Sequence, residues 1–524
     1  MAKSADMPDA VPRAPRPFCG DGDGADPSRG MLALLVLGLG CLFSSLLIYS
    51  GTVISFLRFP VFSLALGPAG FMGMFAETTL LAATLIAAVL AAMSLRRFRP
   101  LPFMALGAVA AVAYLCCALG FGFACYFAVD IPTVYLLLGA AAAVADCGMA
   151  LVWGRVCARR LPIRLALVVV GAASAVSAVL CFLYGWLPLE GMLGLLFVCS
   201  AVAAVVPLAV HEPPAPQGEP AAADRPALAS LFDVTGMPSL GLVAFAFAMA
   251  VMRTAFNEGQ GAYLGALALS GAGVVAFALL KRGPFLLSGG LQQTFLPIFA
   301  LVVLAGVSIT ATLGWGGGVS DWLTYGLYSM AAVLTLATLC AVAHAGEFSA
   351  DLVFSVALCA FCGASFLGQQ VGGALPDEMI SVTVTLTTTL YAFALVLVSH
   401  VRRRSEADGV LGDAGASGET SPVPAVGGGA PAAGAEEASL PDAARGCEPR
   451  GLAGRCAALA DTHGLTARER EILTYLAEGH NGSYIASALF ISPNTARTHI
   501  HNIYRKLDIS SREDILRLTR EPRL

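Results

Sequence analysis

Between residues 31 and about 400 the chain is a succession of apolar runs, each roughly twenty residues long. No other feature narrows the possible folds as far. A run of that length matches the hydrocarbon core of a bilayer, where every backbone donor and acceptor must bond within the protein. The runs fall near 31–57, 71–95, 102–126, 132–154, 163–184, 189–210, 239–257, 261–281, 291–314, 322–344, 350–375 and 379–401. They predict an all-α polytopic domain of twelve spans embedded in a lipid bilayer. Composition agrees: 57% of the 524 residues are apolar and 13% are charged, too little charge to cover a soluble surface.

Basic residues set the orientation. Arg96, Arg97 and Arg99 follow the second run, and Arg155, Arg159, Arg160 and Arg164 lie between the fourth and fifth. Lys281 and Arg282 follow the eighth, and Arg402, Arg403 and Arg404 the twelfth. All four clusters come after even-numbered runs, so they share one side, which the positive-inside rule makes cytoplasmic. The opposite loops carry Asp130, Glu190, Asp321, Asp377 and Glu378, with Arg58 as the basic exception. Both termini are therefore expected in the cytoplasm of a multi-pass protein. Residues 1–30 are rich in Pro, Gly and Asp and lack an apolar core, so they read as a disordered cytoplasmic extension rather than a signal peptide.

Residues 211–238, rich in Pro and Ala, read as a central cytoplasmic loop that divides the spans into 31–210 and 239–401. This six-plus-six topology resembles the major facilitator superfamily, in which two six-helix halves enclose a midplane site. Of that family's signature between spans two and three, the segment Leu95-Arg96-Arg97-Phe98-Arg99-Pro100 carries the basic part alone. Polar residues inside spans are candidates for a ligand site: Glu77, Asp146, Arg253, Glu258, Gln369 and Gln370. Arg253 could pair with Glu77 or Asp146, and all of these could equally be structural partners. Gly368 and Gly372 form a GxxxG, which reads as close helix packing.

No catalytic, metal or cofactor site is expected. The fourteen cysteines lie mostly in apolar runs, and the Cys359-x-x-Cys362 pair sits inside one, where it reads as packing. No phosphate-cradling loop or nucleophile with a base is evident. His463, His480, His499 and His501 lack metal-ligand spacing.

Residues 402–460, of which 405–450 are mostly Gly, Ala, Pro, Ser and acidic residues, read as a flexible linker spanning on the order of 45 Å as a coil. From 461 to 524 the pattern becomes that of a soluble four-helix domain. Thr466 and Glu469 form a capping box ahead of Ile472, Leu473, Leu476 and Ala477, and Gly479 suits the helix end. A short helix runs from about Ser483 to Leu489. Ser492-Pro493 then caps a third helix, which continues to about Leu507, and a fourth begins at Ser510 or Ser511. Along the third helix, Ala496, Ile500, Ile503 and Leu507 form a core stripe, and Arg497, Thr498, His501 and Arg505 the opposite one. A basic, hydrogen-bonding stripe at one-turn spacing suits the major groove of double-stranded DNA. Asn494, Thr495 and Lys506 are placed to hold phosphates, with an expected loss of about one unit of salt slope for Lys506→Ala.

Leu465-Thr466-x-Arg468-Glu469-x-Glu471-x-Leu473, Ile485-Ala486, Ile491-Ser492, Thr495, His499, Ile503, Lys506-Leu507 and Arg512 together resemble the LuxR-type DNA-binding domain. The resemblance implies base reading by Arg497, Thr498 and His501, and a homodimer contact through the fourth helix. Ser483-Tyr484 stands where the family has Lys-Glu, and Ala496 where it has Val. The expected function is a one-component transcriptional regulator in a bacterial inner membrane, whose twelve-span module senses a small-molecule or protein signal. The alternative is a transporter of a small solute with a fused DNA-binding domain.

Overall fold

The computed structural model describes residues 29–49, 67–96, 102–127, 129, 131–210, 228–253, 260–280, 296–312, 318–376, 379–380, 382–397, 400, 452–509 and 512–520. Every regular element among them is a helix. Twelve apolar helices come first: α1 (Arg29–Tyr49), α2 (Gly67–Leu95), α3 (Phe103–Tyr126), α4 (Pro132–Arg160), α5 (Ile163–Tyr184), α6 (Leu189–Ala209), α7 (Leu228–Arg253), α8 (Gln260–Leu280), α9 (Leu296–Thr312), α10 (Gly318–His344), α11 (Ala350–Ala374) and α12 (Val382–Leu397). Ten are long and apolar enough to cross a membrane; the apolar part of α9 and all of α12 are shorter. Large apolar side chains such as Leu85, Val109, Leu137 and Leu269 stand exposed on their outer faces. A surface of that kind is stable against lipid and not against water.

The first six helices join the second six where α5 packs on α8 and α2 on α11. Small residues allow the approach. A Cβ on Gly271 would lie 2.4 Å from the Gly171 carbonyl oxygen, and within the second half one on Gly368 would lie 2.4 Å from that of Phe247 on α7. The GxxxG residue Gly368 therefore serves close packing, as its spacing implied. Some buried polar groups are paired across helices. The Ser45 and Tyr114 hydroxyls lie 2.6 Å apart, and Trp153 Nε1 donates to the Ala203 carbonyl at 3.0 Å. At the end of the bundle that carries Arg155, Arg159 and Arg160, the halves are tied directly. Arg155 forms a bidentate ion pair with Asp351, 2.7 Å on each arm, and His344 Nδ1 lies 2.7 Å from the Ala158 carbonyl.

The C-terminal part holds α13 (Leu452–Thr462), α14 (Ala467–Ala477), α15 (Gly482–Leu489), α16 (Pro493–Leu507) and α17 (Arg512–Arg520) around a core of their own. Two domain boundaries differ from the sequence reading. Helix α7 starts at Leu228, inside the expected loop 211–238, because Leu231 and Thr235, one turn apart, both bury in the bundle. Helix α13 occupies the end of the expected linker 402–460. Its residues Cys456 and Ala460 are fully buried against the tail core, and Leu452 and Leu459 pack beside them. That i, i+4, i+7, i+8 spacing is a helical stripe hidden behind a run of small residues. The rest of the expected linker up to Gly451, most of the N-terminal extension, and the clusters Lys281-Arg282 and Arg402–Arg404 lie outside the described residues.

Candidate nucleic-acid interface

The tail is built cap by cap. Thr466 accepts from the Glu469 amide at 3.3 Å, and Glu469 Oε2 accepts from the Thr466 amide at 2.8 Å, closing the box that starts α14. Gly479 takes a φ of 96°, the left-handed turn that a residue with a Cβ rarely adopts. Asn481 caps α15, accepting from the Tyr484 amide at 2.8 Å. Ser492 caps α16, accepting from the Thr495 amide at 3.1 Å, with Pro493 in the first turn. These caps fix where α14, α15 and α16 begin, α15 and α16 being the two helices of the helix-turn-helix.

One face of α16 points outward. Ala496, Ile503 and Leu507 are buried in the tail core, and Ile500 packs against it. Arg497, Thr498, His501 and Arg505 are all exposed, as is Asn494. Three cationic or titratable groups and a hydroxyl thus line one side of a free helix. Such a face can offer bidentate Arg bonds to guanine O6 and N7 and a Thr methyl to thymine.

Lys506 is placed differently. Its ammonium donates to Glu469 Oε2 at 2.7 Å and to the Gly464 carbonyl at 3.2 Å, inside the tail. Burial alone would raise the Glu469 carboxyl, but the Lys506 ammonium and the Thr466 amide and hydroxyl outweigh it and hold the carboxyl below its ordinary range. His499, half-buried behind the exposed stripe, is pushed below the ordinary imidazole range by burial and by Arg468. Sequence reasoning did not anticipate two further groups. His480 stacks on Tyr484, with centroids 3.9 Å apart. Glu347, from the turn between α10 and α11, reaches the start of α16: its carboxylate accepts from the Ser492 amide at 2.6 Å and from the Thr495 hydroxyl at 2.9 Å. A contact 145 residues away in the chain leaves no local signal.

The polar residues of the apolar module are partly gathered. Gln369 Nε2 reaches Glu77 Oε1 at 3.5 Å, linking α11 to α2. Asp146 on α4 has an enclosed Oδ1 with no hydrogen-bond partner among the described residues. Gln370 is turned to the exposed surface, away from its neighbour. The Arg253 side chain and Glu258 lie outside the described residues.

Residues 463–519 match the family model described as GerE: Bacterial regulatory proteins, luxR family. The tail is 46% identical over 48 residues to the uncharacterized transcriptional regulatory protein YhcZ of Bacillus subtilis (strain 168), covering 9% of this chain and 22% of that one. It is 52% identical over 48 residues to the transcriptional regulatory protein LiaR of the same organism, covering 9% and 23%. The chain thus spans about a quarter of the length of the curated relatives it matches. The helical module aligns with a crystal structure of the E. coli fucose:proton symporter FucP, at 14% identity and a TM-score of 0.48, covering 72% of this chain and 99% of that one. It also aligns with the human organic anion transporter MFSD10 (TETRAN), at 13% identity and a TM-score of 0.48, covering 71% and 99%. Residues 463–519 are a luxR-family helix-turn-helix domain of the transcription regulators, carried in one chain with a multi-pass helical module.

Proposed function

We propose that the chain is a membrane-bound, non-catalytic one-component transcriptional regulator whose tail binds specific DNA sequences under control of the twelve-span module. It sits in the bacterial cytoplasmic membrane with both termini in the cytoplasm, a reading supported by the basic clusters after even-numbered runs. The observation that carries the reading is the exposed stripe Arg497, Thr498, His501 and Arg505 on a capped, core-anchored α16. Arg497, Thr498 and His501 read base edges, and Asn494 and Thr495 meet phosphates. One such domain reads a short half-site, so the tail works as a homodimer, paired through α17, where Leu518 stands exposed. The signal is a small molecule or a protein that engages the module.

Mapping genomic occupancy of the full chain and of Arg497→Ala tests this. Discrete sites sharing one motif are expected. Arg497→Ala should relax the preference at one base position at a cost of about 1–3 kcal/mol. Occupancy without a shared motif would contradict base reading. A second reading, solute transport by the module, is favoured by the enclosed Asp146 carboxylate and by the Glu77–Gln369 contact between the halves. Uptake into vesicles that is lost in Asp146→Asn or Glu77→Gln would support it.

A further inference from the structure

The turn between α10 and α11 and the start of the recognition helix fit each other. Glu347 faces the N-terminal end of α16 with both carboxylate oxygens engaged, one by the Ser492 amide and one by the Thr495 hydroxyl. Charge-assisted bonds at 2.6 and 2.9 Å are short, and the carboxylate also meets the positive end of the α16 dipole. The contact has an apolar part. Phe490, in the turn before α16, is buried among residues of the membrane module, and Ala345 of that module packs against the tail core. These groups at the start of a recognition helix are also the ones that take a DNA phosphate. Two anions cannot share one pair of donors, and a duplex phosphate brought to Thr495 would meet the Glu347 carboxylate head on.

The same turn also ties the two halves of the module together at one end of the bundle. His344 lies three residues before Glu347 and holds the Ala158 carbonyl; Asp351 lies four residues after it and holds Arg155. The turn therefore keeps its position only while the α4 end and the α10–α11 end stay together.

We propose that the α10–α11 turn is a docking surface for the tail, in which Glu347 occupies the phosphate-binding start of α16 and competes with DNA. The tail docks when the Arg155–Asp351 seam is closed. Separation of the halves at that seam carries Glu347 away and frees α16. The membrane module thus controls the tail by direct occupation, with no need for a partner protein. The inference rests on the DNA-binding reading above.

The test uses the full chain in lipid nanodiscs and a duplex selected by it from a random-sequence pool. Glu347→Gln and Glu347→Ala should bind that duplex about tenfold tighter or more than the unaltered chain, the scale of a lost charge-assisted competitor. Amide exchange over 489–496 should quicken in both variants when DNA is absent. Glu190→Gln, on α6 at the opposite end, should change neither. For the unaltered chain, adding saturating duplex should quicken exchange over 345–349; this arm needs no variant to fold. Equal duplex affinity and equal exchange in the Glu347 variants, or no change over 345–349 on adding duplex, would overturn the docking. If neither the unaltered chain nor any variant enriches a duplex at all, the DNA-binding reading fails, and the exchange of 489–496 in Glu347→Ala still decides whether the turn holds the tail.

Discussion

Lys506 and Glu469 meet at 2.7 Å, with Glu469 almost fully buried. The sequence placed Lys506 among phosphate contacts because it lies near the polar stripe of α16. The turn of the helix instead aims it at the capping box of α14, where it neutralises the only acidic group in that box. Lys506→Ala should therefore act on folding: Glu469 would lose its cation, at a cost of about 1–3 kcal/mol. Amide exchange in α14 and α16 of the full chain should quicken, and the salt slope of DNA binding should stay as it was. A slope lower by one unit with unchanged exchange would return Lys506 to the phosphates. His499 gives a second residue-scale expectation. Burial, reinforced by Arg468, keeps its imidazole below its ordinary value in the folded tail, against the pull of Glu469 and Glu347. The unfolded chain then takes up the proton more readily. The stability this supplies is full above the ordinary imidazole value of about 6.5 and is lost as pH falls from there through the lowered folded value. Glu469 acts in the same direction at lower pH, since its carboxyl is held below the carboxylate range. Protection factors in α16 should drop between about pH 7.5 and pH 5.5, and His499→Gln should flatten the change.

Elements follow from pattern wherever a strong period is present. The apolar runs announced the twelve apolar helices among the described residues, ten of them long enough to cross a membrane, and Thr466, Glu469, Gly479, Ser492 and Pro493 announced the limits of α14 and α16, because caps and apolar run length are local properties. Helix α13 and the early start of α7 were masked for the opposite reason. Their large apolar positions sit beside Pro, Gly or Ala, so burial against a distant core, rather than local propensity, makes them helical. The crossing of α5 and α8 is the clearest element-scale test. Gly171 and Gly271 meet with backbone against backbone, so a side chain there has no flexible neighbour to displace. Gly271→Val should push the two halves apart and lower the thermal stability of the detergent-solubilised chain by about 1–3 kcal/mol. Gly273→Val, about half a turn away with nothing near its Cβ, should leave it unchanged. Equal melting of both variants would show that the crossing is looser than described.

At the scale of the whole molecule, a luxR-family helix-turn-helix domain and a multi-pass helical module share one chain, and their contact lies at the turn after α10. The exposed stripe of α16 was legible because it is a property of fifteen consecutive residues. The Glu347 contact was not, since it pairs two segments whose meeting depends on how twelve helices stack. The polar residues of the module were legible as a set but not as a site: Glu77 and Gln369 come together, whereas Gln370 turns to the surface. One measurement bears on the central claim most directly. The full chain in nanodiscs is offered a random pool of duplexes, and the retained sequences are read. The account predicts enrichment of a single motif made of two half-sites, one for each tail of a homodimer. Retention of duplexes in proportion to their abundance in the pool, with no motif, would contradict it.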